Sequence, residues 1–275
     1  MGMFKLSILF GDNPALNPAE IAPGWEMAEI PVALVVKPFE SEANWQAQRV
    51  EIEKWRLPPI KVASHFIQFW GLTPTGPGAD WDQLQFWAER ALRRLGGLGV
   101  ECAGLYGGFF KVTAGVSRTQ AMDQAVRWVN MLADYGEKNN VKIVLEPTAD
   151  PKSMFPMYLD GLEFIKKEIG RPSVRLMADL NYFIAGNQPL DHIAKDPAYC
   201  LHVHVAGEHA QPGVGNLVGM HTDLFRVLRD MGYAGGVSAA CPWVSTSGGT
   251  QVDFRAETAK SLQYLRDLRE KVYAE

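Results

Sequence analysis

Cysteine is scarce in this chain: Cys102, Cys200 and Cys241 are all there are in 275 residues, and no two form a CxxC pair. So sparse and odd a count excludes a disulfide scaffold and a structural zinc cluster, and it fits a reducing compartment, so a cytoplasmic location is expected. A basic excess is also missing. Lys and Arg number 27 against 31 Asp and Glu, a formal net charge of -4, whereas duplex binders carry a clear positive surplus. No nucleic-acid partner is expected. No run of about 18 apolar residues occurs, which excludes a transmembrane helix and leaves no reason to expect a membrane partner. The apolar stretch in MGMFKLSILFGDN is too short for a signal peptide and lacks a small-residue cleavage site, so it reads as a first strand. Low-complexity segments, linkers and internal repeats are absent from the sequence as well.

What is present is a chain 47% hydrophobic and 21% charged, ample for a sizeable core. Short runs rich in Val, Ile, Leu and Ala recur between Gly, Pro or Asp. They are FKLSILFG near Lys5, IPVALVVKPF near Val35, IKVASHF near Val62, GVECAGLYGG near Ala103, NVKIVLEP near Ile143, SVRLMADL near Met177, YCLHVHVAG near Val203 and AGGVSAACPW near Val237. Nearly continuous apolar runs suit parallel strands covered on both faces.

Helical periodicity fills the spaces between. From Asp80, one stripe carries Trp81, Leu84, Trp87, Ala88, Ala91 and Leu95, closing on Gly96 and Gly97. From the N-cap candidate Ser117, Ala121, Ala125, Trp128, Val129 and Leu132 follow i, i+3, i+4 spacing. Further helices are expected from Thr222, with Leu224, Val227 and Leu228 on one face, and over the C-terminal DFRAETAKSLQYLRDLREKV. Eight strands alternating with helices predict an α/β fold, a (β/α)8 barrel, as one domain over residues 1–275. The rival doubly wound sheet commonly shows a Gly-rich phosphate turn after its first strand, and FGDNPALNP is not one.

In such a barrel the catalytic groups stand at the C-terminal strand ends: Lys37, His65, Gly107 and Gly108, Glu146, Asp179, His204 and Ala240. In YCLHVHV, alternation puts Cys200, His202 and His204 on one face and Leu201, Val203 and Val205 on the other. Glu146, Asp179 and His204 end three successive strands. Two carboxylates and an imidazole converging at a barrel mouth are reconciled by a divalent cation, and mixed O and N ligands suit Mn2+, Mg2+, Co2+ or Zn2+. The bland alternative for Asp179 is a helix cap, and for Glu146 a solvated carboxylate. Trp45, Trp70, Phe110 and Trp243 are candidates for an apolar floor, or else core packing.

The segments VKIVLEP, VRLMADLNYF, LHVHVAGEHAQPGVG and GYAGGVSAACPW resemble the successive strand-end signatures of the xylose-isomerase-like TIM barrels, the sugar (phosphate) isomerases and epimerases. The likeness runs over nearly the whole chain. It implies that Glu146 is a metal ligand and catalytic base, and that Asp179 and His204 are further ligands. The family's fourth ligand and second base, a strand-eight Glu, falls on Ala240. A substrate-binding His three residues after the strand-six Asp is replaced by Tyr182, and an Arg six residues after the strand-seven His by Ala210. The nearest substitutes are Glu208, His209, His65 and Lys111. The candidate substrate-binding set is therefore His65, Lys111, His202, Glu208 and Tyr182. The resemblance implies a small carbohydrate-like substrate (a ketose, keto-sugar or polyol) and metal-assisted proton transfer, and exposed loop aromatics leave a homo-oligomer, dimer or tetramer, open. The departures leave two other readings: a non-catalytic sugar-binding barrel and a metal-poor lyase or dehydratase. The branch that cleaves DNA needs many more metal ligands and basic contacts than six histidines and this charge supply.

Overall fold

Eight parallel strands pair in sequence order and close on themselves: β1 (Lys5–Leu9), β2 (Met27–Pro31), β3 (Ile60–Ser64), β4 (Cys102–Tyr106), β5 (Lys142–Glu146), β6 (Val174–Asp179), β7 (Cys200–Val205) and β8 (Gly236–Ala239), with β8 bonded back to β1. The computed structural model describes residues 2–10, 16–67 and 71–275; Trp70 and the GDNPA stretch of the first loop lie outside them. The α-helices are α1 (Glu42–Lys54), α2 (Trp81–Gly97), α3 (Arg118–Lys138), α4 (Tyr158–Phe164), α5 (Leu180–Ala185), α6 (Val218–Asp230) and α7 (Phe254–Ala274). The expected barrel is the observed one. No helix among the described residues is long and apolar enough to cross a membrane.

The helices form where apolar stripes and caps coincide. Asp80 caps α2 by accepting the Gln83 N–H, and Leu84, Trp87, Ala88, Ala91 and Leu95 are buried. Ser117 and Gln120 form a reciprocal capping box at the start of α3, which contributes about 1 kcal/mol. The helix expected from Thr222 starts four residues earlier, and Phe225 joins Leu224 and Leu228 in the core, with Val227 partly buried against it.

The second strand is not where the apolar run placed it. VALVV, residues 32–36, coils into a single wide turn, and the strand is the preceding MAEIP. A buried cation braces the end of this turn. Arg94 of α2, 1% exposed, donates to the carbonyls of Val36, Lys37 and Glu40, satisfying backbone acceptors that a sheet would otherwise have taken. Lys37 ends the turn in the left-handed region, at φ 47°. This shift brings Glu29 into the barrel wall.

Inside the barrel the floor is an apolar plug of Met27, Val62, Cys102, Val144 and Met177, with Leu201 against it. The expected alternation on β7 holds for His202 to Val205 and fails before them. An irregularity pairs Leu176 with Cys200 but Met177 with His202. Leu201 therefore joins the interior plug, while Cys200 packs in the outer core between sheet and helices.

Candidate active site

The register of the central strands sets the site. Asp179 on β6 pairs with His204 on β7, and Tyr106 on β4 with Glu146 on β5. Alternation turns Glu146, Asp179 and His204 inward at the C-terminal end, and all three line a mouth cavity of about 400 Å³. His204 Nδ1 stands 3.3 Å from Glu146 Oε1 and 3.5 Å from Asp179 Oδ2. Asp179 is also a helix cap: Oδ1 accepts the Asn181 N–H at 2.7 Å and starts α5. The two oxygens divide these roles, so the cap holds Oδ2 towards the imidazole.

Behind His204 lies a carboxylate that the sequence reading did not single out. Glu29, fully buried on β2, accepts from His204 Nε2 at 2.9 and 3.2 Å and from His202 Nε2 at 2.9 Å. The Ser64 hydroxyl donates to the same carboxylate in a very short contact. Burial pushes the Glu29 carboxyl up, but the two imidazoles outweigh it and hold the group well below the usual range. Burial likewise pushes the His204 ring down, and Glu29, Asp179 and Glu146 more than reverse it, leaving its pKa well above the ordinary value. Without a cation, the neighbouring Glu29, Asp179 and Glu146 side chains thus favour the protonated ring of His204.

Each of Glu146, Asp179 and His204 offers a ligand atom, and those atoms lie within 4.8 Å of one another; Glu29, His202 and His204 form a second such group. The second group is closed by hydrogen bonds at contact distance, whereas the first opens on the cavity. Two carboxylate oxygens and one imidazole nitrogen are a donor set that fits a divalent cation.

A family model described as a xylose isomerase-like TIM barrel matches residues 29–268. The chain belongs to that family. No curated protein matches it in sequence. Among solved structures it is similar to 3-keto-D-glucoside 4-epimerase from E. coli, with 18% identity over 96% of this chain and 99% of that one and a TM-score of 0.71. D-psicose 3-epimerase from Clostridium cellulolyticum H10, solved with D-tagatose, gives 18% identity, 97% and 99% coverage, and a TM-score of 0.74. The IOLI protein, solved with a zinc atom, gives 14% identity, 98% coverage of each chain and a TM-score of 0.67. At such identities the likeness carries the fold.

The other candidate residues fall into two groups. His65 and Tyr182 line the cavity, the first in the left-handed region at φ 55°. Burial and the neighbouring carboxylates push the Tyr182 hydroxyl far up, so it stays protonated as a donor. Lys111, His202 and Glu208 lie off the cavity. Lys111 pairs with Asp150 at 2.7 Å, Glu208 is exposed in the loop after β7, and His202 is sealed one layer down between Glu29 and Ser238. Ala240 and Trp243 form the opposite wall with Leu9 and Phe10. Trp45 and Phe110 are buried in the outer core instead.

Proposed function

We propose that the mouth is the active site of a sugar isomerase/epimerase-like enzyme acting on a ketose, keto-sugar or polyol. Glu146 serves as ligand and proton-transferring base, and Asp179 and His204 as further ligands to a divalent cation. The observation that carries this reading is the convergence of Glu146, Asp179 and His204 on one point of a cavity whose size is ordinary for a small-molecule site, roughly 300–1,000 Å³. A bound cation would polarise the substrate carbonyl and offset negative charge developing on its vicinal oxygens. Glu146 takes the proton from the carbon beside the carbonyl and delivers it to the former carbonyl carbon while a hydroxyl proton passes between the two vicinal oxygens, so that carbonyl and hydroxyl exchange places. His65 and the protonated Tyr182 hydroxyl hold substrate oxygens, while the Leu9, Phe10 and Trp243 side excludes water.

The test is a screen of keto-sugars, D-tagatose and D-allulose among them, in deuterated water with Mn2+, reading carbon-bound proton exchange by NMR. Glu146→Gln should slow exchange by at least about 100-fold. If the protein purified without chelator holds less than about 0.1 equivalent of metal, unchanged after incubation with Mn2+, the cation part fails. Firm Mn2+ binding with sugar binding but no exchange on any probe would favour the non-catalytic sugar-binding barrel.

A further inference from the structure

We infer that Glu29 is the positioning residue of the cation site: held behind His204, its carboxylate fixes the imidazole so that Nδ1 is the atom presented between Glu146 and Asp179. This rests on the reading of Glu146, Asp179 and His204 as ligands. An imidazole ligates through one nitrogen, and the hydrogen bond made by the other decides which. In His204 the Nε2 proton has the Glu29 oxygens at 2.9 and 3.2 Å. That leaves Nδ1 as the atom facing Glu146 Oε1 at 3.3 Å and Asp179 Oδ2 at 3.5 Å.

Glu29 is itself clamped. It accepts from Ser64 on β3 and from His202 on β7, and it has no exposed surface. Among the described residues His202 Nδ1 meets no hydrogen-bond partner, whereas Nε2 faces Glu29 and Ser238, so Nε2 is the nitrogen that donates to Glu29. Room for the clamp comes from Gly104 on β4, where a Cβ would lie 2.7 Å from the Ser64 hydroxyl and 2.7 Å from Met177 Cε. Glu29 does not line the mouth cavity. Its influence on that cavity runs through the His204 ring.

The charge count gives this arrangement its consequence. Position 240 is an alanine, so β8 ends without a carboxylate. Glu29 places a third negative charge one imidazole away, and a hydrogen-bonded carboxylate makes the ring a stronger ligand. A dication would meet three carboxylates although only two can touch it.

The experiment measures Mn2+ affinity of the full chain by electron paramagnetic resonance for wild type, Glu29→Gln, Glu29→Asp and Ser64→Ala. Circular dichroism checks each fold. Nitrogen-15 spectra of the imidazoles are recorded without metal and with Zn2+. Glu29→Gln should weaken Mn2+ binding by about 10–100-fold, with Glu29→Asp recovering part of the loss and Ser64→Ala losing less. In wild type, Zn2+ should bind through His204 Nδ1 and leave the proton on Nε2. A folded Glu29→Gln that binds Mn2+ within about twofold of wild type, or ligation through Nε2, overturns the inference. Should Glu29→Gln fail to fold, unchanged affinity in both Glu29→Asp and Ser64→Ala overturns it equally. Wild type that binds no Mn2+ sinks the cation reading and Glu29's role together. Wild-type binding with indifferent variants sinks Glu29's role alone.

Discussion

The mouth of the barrel has two unlike walls. On the side of β5 to β7, Glu146, Asp179 and His204 bring ligand atoms within 4.8 Å of one another, and Glu29 backs them from inside the barrel. On the side of β8 and β1, the described lining is Leu9, Phe10, Leu16, Ala240, Cys241, Pro242 and Trp243. On the proposed function the first wall holds a cation and moves a proton. The second can shape the substrate and keep water out, and it is held by polar groups that never reach the cavity. Gln211 donates to the Val244 carbonyl and accepts the Val244 N–H, both at 3.0 Å, and also donates to the buried Glu257 at 2.9 Å. Chemistry and shape are thus separated across one cavity, and damage to each wall should be separable too.

The largest expected effect falls on the apolar wall. Trp243 is 7% exposed and packs edge-on against Phe254 at 5.5 Å. Trp243→Ala should cost about 3–5 kcal/mol of stability in denaturant unfolding, while Mn2+ affinity stays near that of wild type. A large loss of Mn2+ affinity in the folded mutant would join the two walls energetically and break the comparison. On the other wall the pattern inverts. At one hundred times its Kd, a ligand specific for the native state stabilises by about 2.7 kcal/mol. Asp179→Ala should lose most of that gain, with about 1 kcal/mol of metal-free stability going with the α5 cap. Should Mn2+ raise the melting temperature equally in wild type and Asp179→Ala, Asp179 is not a ligand.

How much of this was legible depends on which half of the barrel is considered. From β5 to β7, the apolar runs end in Glu146 before Pro147, in Asp179 and in the alternating HVH, so the strands and the inward face of their C-terminal ends follow from spacing, while the irregularity that turns Leu201 inward does not. Around β2 the signals mislead. VALVV has the stronger strand pattern, yet it coils into a turn whose last carbonyl, that of Val36, is bonded to buried Arg94. A glutamate inside MAEIP reads as a solvent-facing residue. Only three-dimensional pairing with His202 and His204 shows that it is fully buried. Helix α1 escaped for a related reason: its buried residues are only Trp45 and Ile52, too few to make a stripe. The helix-cap alternative for Asp179 and the ligand reading are both compatible with the structure, because they use different oxygens.

The proton on His204 sharpens the contrast between the walls. A pKa raised in the folded state contributes stability that is fully present below the unfolded value, about 6.5, and is lost as pH rises through the folded value. Glu29, held below its ordinary value, contributes stability that is present above about 4.5 and lost as pH falls through its folded value. With a chelator present, the melting temperature should therefore decline as pH is raised above about 6.5. With Mn2+ present, that decline should flatten or reverse, since a cation on Nδ1 replaces the proton and binds better as pH rises. Parallel melting curves in chelator and in Mn2+ across this range would mean that proton and metal do not compete at His204.

The smallest expected effect belongs to the residue where the walls meet. Ser238 on β8 points inward, since its hydroxyl lies 3.0 Å from His202 Nε2. Ala240, two residues on, continues the same alternation into the cavity lining, and its N–H extends the ladder to the Val205 carbonyl at 3.0 Å. Ala240→Glu should therefore carry a carboxylate onto the apolar side of the mouth, towards Glu146, Asp179 and His204. A further anionic ligand should tighten Mn2+ binding by about tenfold, which is about 1.4 kcal/mol. Without metal the same substitution should destabilise, because another negative charge joins Glu29, Glu146 and Asp179 with the His204 proton as the nearby offset. The two effects add in one measurement: the Mn2+-induced rise in melting temperature should be larger in Ala240→Glu than in wild type. If the rise is unchanged or smaller, residue 240 does not face the ligand cluster, and the chemical wall ends at β7.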